Sequence, residues 1–398
     1  MNMNFVFISP NFPSMYSHFV RSLRNKGVNV LGIGDEPYST LNQELRENLT
    51  EYCYVSNMAN LDWMKNTLDY LRNKYGHIDY VESNNEFWLE NDAELRAYLG
   101  INTSTLPEEM EKIKFKSKMK SYFEKAGVKV ARYHLVTTLE ASEKFVSKVG
   151  YPVFAKPDNG VGANATYRIN NHEELVNFHN THPDTTYIME EFLEGYITSF
   201  DGICDSKSKV VVAFNETFPT PIAEVVNNDM DVYYYAKADM DAKFRKMGEK
   251  VVSSFGIRKR CFHIEFFVLT KDRPGLGKKG DIIALEVNMR SPGGYTPDLL
   301  ATALDASYYD IYADVIVNDS TTVDLNRDHY IAISVARKDR FHYVHSTEEV
   351  FAKYTDAIRL HDYYPDGIAK AMGKEFFFGR FKKLEDAMEF QKFIHEKY

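Results

Sequence analysis

The first part of the chain alternates short apolar runs with amphipathic segments. Phe5–Ile8 and Val28–Ile33 are apolar runs, and between them lies a segment with one apolar helical face that stops at Gly27. Short apolar runs separated by an amphipathic helix predict the buried strands of a parallel β–α–β unit. Residues 1–105 are therefore predicted to form a Rossmann-like domain. They contain no Gly-x-Gly-x-x-Gly motif, so the pattern predicts no dinucleotide.

The pattern changes in the next segment, where a strand leads directly into a glycine-containing loop. Val153–Ala155 is apolar, Lys156 follows it at once, and Gly160 and Gly162 lie in the loop beyond. A fixed ammonium beside flexible backbone with free N–H groups suits a polyphosphate. An ordinary hairpin turn explains the same loop. The Walker A pattern is absent, so this segment is not a P-loop of that kind.

A later pair of strands carries acidic side chains. Cys261–Leu269 and Asp281–Asn288 read as a hairpin. Because side chains alternate along a strand, Glu286 and Asn288 share a face, and Glu265 projects from one face of the partner strand. If the two faces coincide, two carboxylates and an amide converge, which suits Mg²⁺. A glutamate paired for structural reasons is the alternative.

Two further residues extend this candidate site. Arg290 follows Asn288 by two residues and is expected on the same side if the strand continues. An arginine there can clamp a carboxylate, although a surface ion pair would explain it alone. His263 is a candidate acid–base group, with a local hydrogen-bonding role as the alternative.

Composition narrows the class of protein. The formal net charge of the 398 residues is -9, which argues against a general nucleic-acid binder. The three cysteines are widely spaced, so no disulfide framework or zinc motif is expected. The N-terminus lacks the features of a signal peptide, and no apolar stretch is long enough to span a membrane. A cytoplasmic location is therefore expected.

Taken together in chain order, these segments resemble the ATP-grasp superfamily, in particular biotin carboxylase and the large subunit of carbamoyl-phosphate synthetase. The segments that carry the resemblance are Lys116–Lys120 with Glu124–Val128, Phe154–Pro157, Asp158–Ala163, Met189–Gly195, Ile264–Phe267 and Leu285–Arg290. The resemblance implies an α/β fold, α+β in its grasp lobes. The implied domains are a Rossmann-like domain at 1–105, a first grasp lobe at 106–192, a second lobe with the metal site at 193–325, and a C-terminal subdomain at 326–398.

The resemblance also implies residue roles. It assigns Lys116 and Lys156 to the ATP phosphates, Gly160 and Gly162 to the closing loop, Glu190, Glu191 and Leu193 to adenine and ribose, Glu265, Glu286 and Asn288 to Mg²⁺ (or Mn²⁺), and Lys156 and Arg290 to catalysis. In the resemblance, the helical segment Lys116–Lys120 carries the first of two lysines that contact ATP. Lys118 and Lys120 are alternatives to Lys116 for that role, and the position three residues before Met119 favours Lys116.

The implied activity is an ATP-dependent ligase that joins a carboxylate to an amine through an acyl-phosphate, with an amino-acid-derived amide as the leading product class. The implied partners are small-molecule substrates, and related enzymes often pair as homodimers. Two alternatives stay open: an enzyme that phosphorylates bicarbonate, and a non-catalytic nucleotide-binding protein. Bicarbonate-dependent ADP formation would favour the first, and nucleotide binding without turnover would favour the second.

Overall fold

The computed structural model describes residues 2–159, 165–220, 225 and 229–398 of the protein. Within these residues the named strands form three sheets. The strands are β1 Asn4–Ile8, β2 Asn29–Gly34, β3 Glu51–Tyr54, β4 Tyr80–Glu82, β5 Lys129–Val130, β6 Tyr133–Leu135, β7 Val153–Pro157, β8 Tyr167–Ile169, β9 Tyr187–Glu191, β10 Gly195–Cys204, β11 Val210–Phe218, β12 Val232–Lys237, β13 Arg260–Leu269, β14 Ile282–Asn288, β15 Ile331–Arg337, β16 Ile358–Tyr363 and β17 Glu375–Phe381.

The helices begin at capping residues in several places. Asn60, Asn171 and Asp241 each accept hydrogen bonds from backbone N–H groups of the first helical turn. None of the described helices is both long and apolar enough to cross a membrane. The α-helices are Ser17–Asn25, Gln43–Asn48, Leu61–Tyr75, Leu89–Leu99, Glu111–Lys114, Lys116–Lys125, Leu139–Val149, His172–Thr181, Ala242–Phe255, Thr296–Leu304, Tyr308–Asn318, Thr347–Tyr354, Asp366–Met372 and Leu384–His395.

The first sheet is parallel and has the order β3-β2-β1-β4. This confirms the α/β pattern read from the apolar runs. Helices pack on both faces of the central strands, and every residue of β1 is buried. The edge strand β3 is only partly buried. The chain leaves β1 toward β2 on one side and returns to β4 on the other. The carboxyl ends of β1 and β4 therefore flank a topological switch point.

The second sheet is the largest, with the order β16-β17-β15-β12-β11-β10-β13-β14-β5. Along β13 the side chains alternate between two environments. Phe262, Ile264 and Phe266 are buried in an apolar cluster that includes residues of the helix Ala242–Phe255. His263 and Glu265 project from the opposite face. Along β13, one face is thus apolar core, and the other carries His263 and Glu265 before it joins a second apolar cluster at Cys261.

The third sheet has the order β6-β9-β7-β8 and carries the predicted strand Val153–Ala155 within β7. Strands β7 and β9 are antiparallel neighbours, and their register places Phe154 opposite Glu190 and Lys156 opposite Ile188. One face of this sheet packs against the helices Leu139–Val149 and His172–Thr181 through a compact apolar cluster. The predicted domain boundaries after residues 105, 192 and 325 stay predictions.

A buried charge cluster fastens the first sheet to the second. Glu82 ends β4, and its carboxylate accepts a hydrogen bond of 3.0 Å from Arg260, the first residue of β13. Arg260 also donates to Ser104 at 2.8 Å, and Arg96 lies 3.7 Å from the same carboxylate. Burial and the Glu82 charge raise the pKa of Asp92, in the same cluster, to about 7. Removing one cation would leave uncompensated negative charge in the interior.

We expect Arg260→Met to lower the free energy of unfolding by about 3 kcal/mol, because Glu82 would lose a buried partner. The measurement is urea denaturation followed by circular dichroism. Arg245→Met is the matched control, since Arg245 pairs with Glu249 at 3.1 Å on an exposed helix face. The control should change stability by less than about 1 kcal/mol. Equal effects of the two substitutions would contradict a fastening role for the buried cluster.

Candidate active site

The polar face of the large sheet collects acidic side chains in a row. In the register of β10, β11, β13 and β14, Glu216 lies opposite Ser199, Ser199 opposite Glu265, and Glu265 opposite Glu286. Directly opposed residues in antiparallel strands project from the same face. The two carboxylates that the alternation pattern brought together are therefore neighbours. A register shift between Glu265 and Phe266 falls next to this pair.

A second row runs beside the first and includes a histidine. Asp201 lies opposite His263, and His263 lies opposite Asn288. His263 bridges two carboxylates, with Nδ1 2.5 Å from Asp201 and Nε2 2.9 Å from Glu265. Burial acts against the imidazolium, but both carboxylates outweigh it and raise the pKa of His263 to about 10. The Asp201–His263 pair thus holds the Glu265 carboxylate in place.

Two lysines share one buried carboxylate on the facing sheet. Glu190 lies 2.7 Å from the Nζ of Lys156 and forms a second ion pair with Lys120. Burial disfavours the charged form of Glu190, but the two ammonium groups lower its pKa to about 2. Burial likewise acts against the charge of Lys156, and Glu190 raises its pKa above the usual value. The cluster keeps a surplus positive charge.

Lys116 lies next to the row of acidic side chains, at the end formed by Glu286. Its Nζ is 3.8 Å from Glu286 Oε1. The helix that begins at Lys116 is anchored by Asp158, which accepts hydrogen bonds of 2.7 Å from the backbone N–H and the hydroxyl of Ser117. A carboxylate at a helix N-terminus is favourable because it binds free N–H groups. Since Asp158 follows β7 closely, this anchor holds Lys116 near Lys156.

The remaining predicted nucleotide residues lie in different environments. Glu191 is buried and accepts hydrogen bonds of 2.9 Å from Arg132 and 2.8 Å from Arg273. Leu193 is buried in a small apolar cluster beside Ile283. The carboxylate of Glu191 is therefore committed to two arginines, and it fixes the connection between β9 and β10. Gly160 and Gly162 lie outside the described residues.

Arg290 lies beyond the end of β14, which stops at Asn288. Its Nε is 3.5 Å from Glu86 Oε2, and its guanidinium donates to the Ser291 carbonyl at 2.9 Å. Glu86 comes from the loop after β4. β14 ends at Asn288, where the predicted strand Asp281–Asn288 also ends, and the chain bends at residues 289–290. The condition for placing Arg290 on the face of Asn288, a continuing strand, is therefore not met, and Arg290 meets the edge of the first sheet through Glu86.

The donor set of the acidic row fits a divalent cation. Glu265, Glu286 and Asn288 offer carboxylate and amide oxygens, which are the ligands that Mg²⁺ and Mn²⁺ prefer. Burial raises the pKa of Glu286; Lys116 opposes this rise, and Glu265 adds to it. Burial acts in the same way on Glu265, but the hydrogen bond from His263 lowers its pKa. Two adjacent carboxylates that repel each other are stabilised when a cation binds between them.

Several residues here were weighed too lightly or missed in the sequence. Lys120 was considered only as a competitor of Lys116, and it is the second partner of Glu190. Asp158, Asp201 and Glu216 were not singled out. For Asp201 a signal existed, because an acid within an apolar strand needs a partner, as His263 does in the neighbouring strand. Asp158 contacts Ser117, which lies 41 residues away in the chain, so the local sequence pattern did not indicate the role of Asp158.

Comparisons with known proteins show similarity to the ATP-grasp domain and to a ligase. Residues 113–291 match the family model of the ATP-grasp domain. Alanine–anticapsin ligase of Bacillus subtilis (strain 168) is 24% identical over 222 residues, which are 50% of this chain and 47% of that protein. The chain thus spans about half the length of this curated relative.

Solved structures show the same fold along nearly the whole chain. An L-amino acid ligase from Bacillus licheniformis superposes with a TM-score of 0.70 at 16% identity, covering 98% of this chain and 96% of that one. The biotin carboxylase domain of a Hydrogenobacter thermophilus 2-oxoglutarate carboxylase, in complex with MgADP and bicarbonate, superposes at 0.71 with 15% identity, covering 99% and 90%. At such identities the likeness is one of fold.

The shared carboxylate leads to a prediction about stability. Lys120→Met should lower the free energy of unfolding by about 2 kcal/mol, because Glu190 would keep a single cation in a buried place. Urea denaturation measures the change. Lys118→Met is the matched control on the same helix, since Lys118 is exposed and lies 4.0 Å from Glu111. The control is expected to change stability by less than about 0.5 kcal/mol. A Lys120 variant as stable as the control would contradict the pairing.

Proposed function

We propose that this chain, whose residues 113–291 match the family model of the ATP-grasp domain, is an ATP-dependent ligase that joins a carboxylate to an amine and releases ADP and phosphate. The proposed product class is a dipeptide or another amide derived from amino acids. Similarity in sequence to an alanine–anticapsin ligase supports this class. The fold is compatible with it, because an L-amino acid ligase shares it.

One observation carries the proposal: cations and oxygen ligands for a metal converge within one site. Lys156 is close enough to Glu265 and Glu286 for both carboxylates to influence its pKa, and Lys116 lies 3.8 Å from Glu286. Fixed ammonium groups beside a carboxylate pair suit the triphosphate of ATP together with its metal ion. A purely structural charge cluster would not need cations from a helix and from the third sheet to converge on carboxylates of the large sheet.

In the first step, an oxygen of the substrate carboxylate attacks the γ-phosphorus of ATP. The bond from that phosphorus to the bridging oxygen of ADP breaks, and an acyl-phosphate forms. Lys116 and Lys156 neutralise the oxygens of the transferred phosphoryl group. To reach the phosphates, Lys156 turns away from Glu190, and Lys120 stays as the partner of that carboxylate. Arg290 binds the substrate carboxylate or the charge that develops on it.

In the second step, the nitrogen of the amine attacks the acyl carbon. The carbon–oxygen bond to the phosphate breaks, inorganic phosphate leaves with the bonding electron pair, and the nitrogen loses a proton to water. Glu265, Glu286 and Asn288 would hold Mg²⁺ or Mn²⁺, which supplies charge neutralisation for the phosphate oxygens. The Asp201–His263 pair keeps Glu265 oriented as a ligand, as hydrogen-bonded partners of metal ligands commonly do.

A second candidate is phosphorylation of bicarbonate. The fold similarity to a biotin carboxylase domain solved with bicarbonate favours it, and the reaction would use the same cations and carboxylates. The two candidates differ in the acceptor of the phosphoryl group. They are therefore separated by which compound is needed for ADP formation.

The test is release of ADP and phosphate from Mg²⁺-ATP, screened over amino acids singly and in pairs, with bicarbonate in separate wells. Release that requires two amino acids is expected, with a new amide product detected by mass spectrometry. Release with bicarbonate alone would move the assignment to the second candidate. ATP binding without turnover in any well would count against both enzymatic readings.

In the same assay, Lys156→Ala is expected to lower kcat/KM by roughly a hundredfold or more, because one fixed cation at the transferred phosphoryl group is lost. Lys148→Ala is the control, since Lys148 is an exposed lysine on a nearby helix. The control should keep the wild-type rate. A Lys156 variant with unchanged kcat/KM would contradict the assigned role.

Metal binding gives a readout that does not depend on turnover. Glu286→Gln and His263→Phe are each expected to weaken Mn²⁺ binding about tenfold, measured by electron paramagnetic resonance with ADP present. His263→Gln should restore part of the loss, because its amide can still donate to Glu265. His172→Phe serves as the control, since His172 is exposed and pairs with Glu143 at 2.7 Å. Unchanged Mn²⁺ affinity in Glu286→Gln would rule out this metal site.

A further inference from the structure

A cavity of about 710 Å³ lies at the edge of the first sheet, where the carboxyl ends of β1 and β4 flank the switch point. Three segments line it: 9–14 after β1, 35–45 after β2, and 85–88 after β4. Asn85 donates to the Phe12 carbonyl at 3.4 Å and so joins two of these segments. Switch-point crevices of parallel sheets are common ligand sites. None of the roles proposed above uses this cavity.

The charged groups of the cavity are all negative. Asp35 and Glu36 line it and are exposed, and no lysine or arginine is among its described lining residues. The side-chain oxygen of Asn11 is buried and accepts no hydrogen bond. Two carboxylates and an unsatisfied acceptor call for a ligand that carries N–H donors and positive charge. A phosphorylated or carboxylate-rich ligand would meet only repulsion from these charges.

Aromatic side chains complete the cavity wall. Phe12 is 61% exposed and Phe87 is 68% exposed, which is unusual for phenylalanine. Phe87 also meets Trp88 edge to face, with ring centroids 4.6 Å apart. Exposed ring faces next to carboxylates attract ammonium groups through cation–π contacts. They also pack well against the methylene chain of an aliphatic amine.

The cavity adjoins the proposed reaction centre through a single residue. Asn85 and Phe87 line the cavity, while Glu86 between them lies 3.5 Å from the Nε of Arg290. Glu86 also approaches Lys114 at 3.9 Å. A ligand in the cavity is thus one residue away from the arginine assigned to the substrate carboxylate. A second substrate bound there would lie next to the carboxylate that is phosphorylated, as an amine that attacks the acyl-phosphate must.

We propose that this cavity binds the amine substrate, and that the substrate is a cationic aliphatic amine such as a diamine or a basic amino acid. Asp35 and Glu36 bind its distal ammonium group, Asn11 accepts an N–H hydrogen bond, and Phe12 and Phe87 cover its methylene chain. The inference rests on the proposed ligase function for the fate of the amine, but binding itself can be measured without ATP.

The first experiment is isothermal titration calorimetry of the full chain with putrescine and L-lysine, and with L-glutamate and inorganic phosphate as negative probes. Both cationic amines should bind, more weakly as salt is raised, and both anions should not. In Asp35→Asn/Glu36→Gln, amine binding should weaken about fivefold, since two exposed charges are removed. Glu47→Gln/Asp62→Asn removes two exposed acids that do not line the cavity, and it should bind as the wild type does.

The second experiment adds ATP and a panel of carboxylates. The Asp35→Asn/Glu36→Gln protein should show a raised KM for the amine with an unchanged KM for ATP. Absence of amine binding to the wild type, equal binding in both double variants, or preference for an anion would overturn the inference. Turnover with neutral amines alone would also overturn it and would leave the ligase proposal intact. Amine binding without any ATP-dependent product would support the cavity assignment and count against the ligase proposal.

Discussion

The buried carboxylate of Glu190, held between Lys120 and Lys156, is the interaction on which the rest of the site depends. Burying three charged groups is costly unless they neutralise one another, and one carboxylate between two ammonium groups leaves a net positive charge. Among the described residues, the apolar core around these groups offers no further carboxylate that could neutralise the second ammonium group. That positive charge is available to an anion, and the nearest acidic groups, Glu265 and Glu286, are themselves suited to a cation. Ammonium groups suited to phosphate and carboxylates suited to a metal ion therefore lie side by side, which is the arrangement that a metal–nucleotide complex needs.

The large sheet makes this arrangement possible because its two faces have different roles. Phe262 and Ile264 bind the sheet to its helices, and the alternate positions are free to carry His263 and Glu265. The antiparallel register then aligns acids from four strands on the face opposite Phe262 and Ile264, and two of them, Asp201 and Glu216, are fully buried there. The hydrogen bond between Glu82 and Arg260 holds the edge of the first sheet, with its acidic cavity, in the same region.

How much of this could be predicted from the sequence depends on the range of the interaction. Strand alternation predicted that Glu265 and Glu286 would be neighbours if the two strand faces coincide, and the register places them opposite each other. The apolar run before Lys156 was enough to define a strand ending there. Contacts between segments distant in the chain left no local pattern, as with Ser117 and Asp158. The end of the strand at Asn288 was predicted, but the position of Arg290 was left conditional on a continuing strand, because the pattern after Asn288 does not show where the chain bends. Lys120 could not be ranked above Lys118 by spacing, since only packing decides which lysine of a helix points inward.

An acyl-phosphate intermediate can be tested by following oxygen from the substrate carboxylate. Once the amino-acid screen has given a substrate pair, the carboxylate is labelled with a heavy oxygen isotope, and the inorganic phosphate is analysed by mass spectrometry. An acyl-phosphate mechanism transfers one carboxylate oxygen to each phosphate released, so the phosphate should carry one label per turnover. Release of ADP and unlabelled phosphate alongside amide formation would contradict the account, because the carboxylate would not have been phosphorylated.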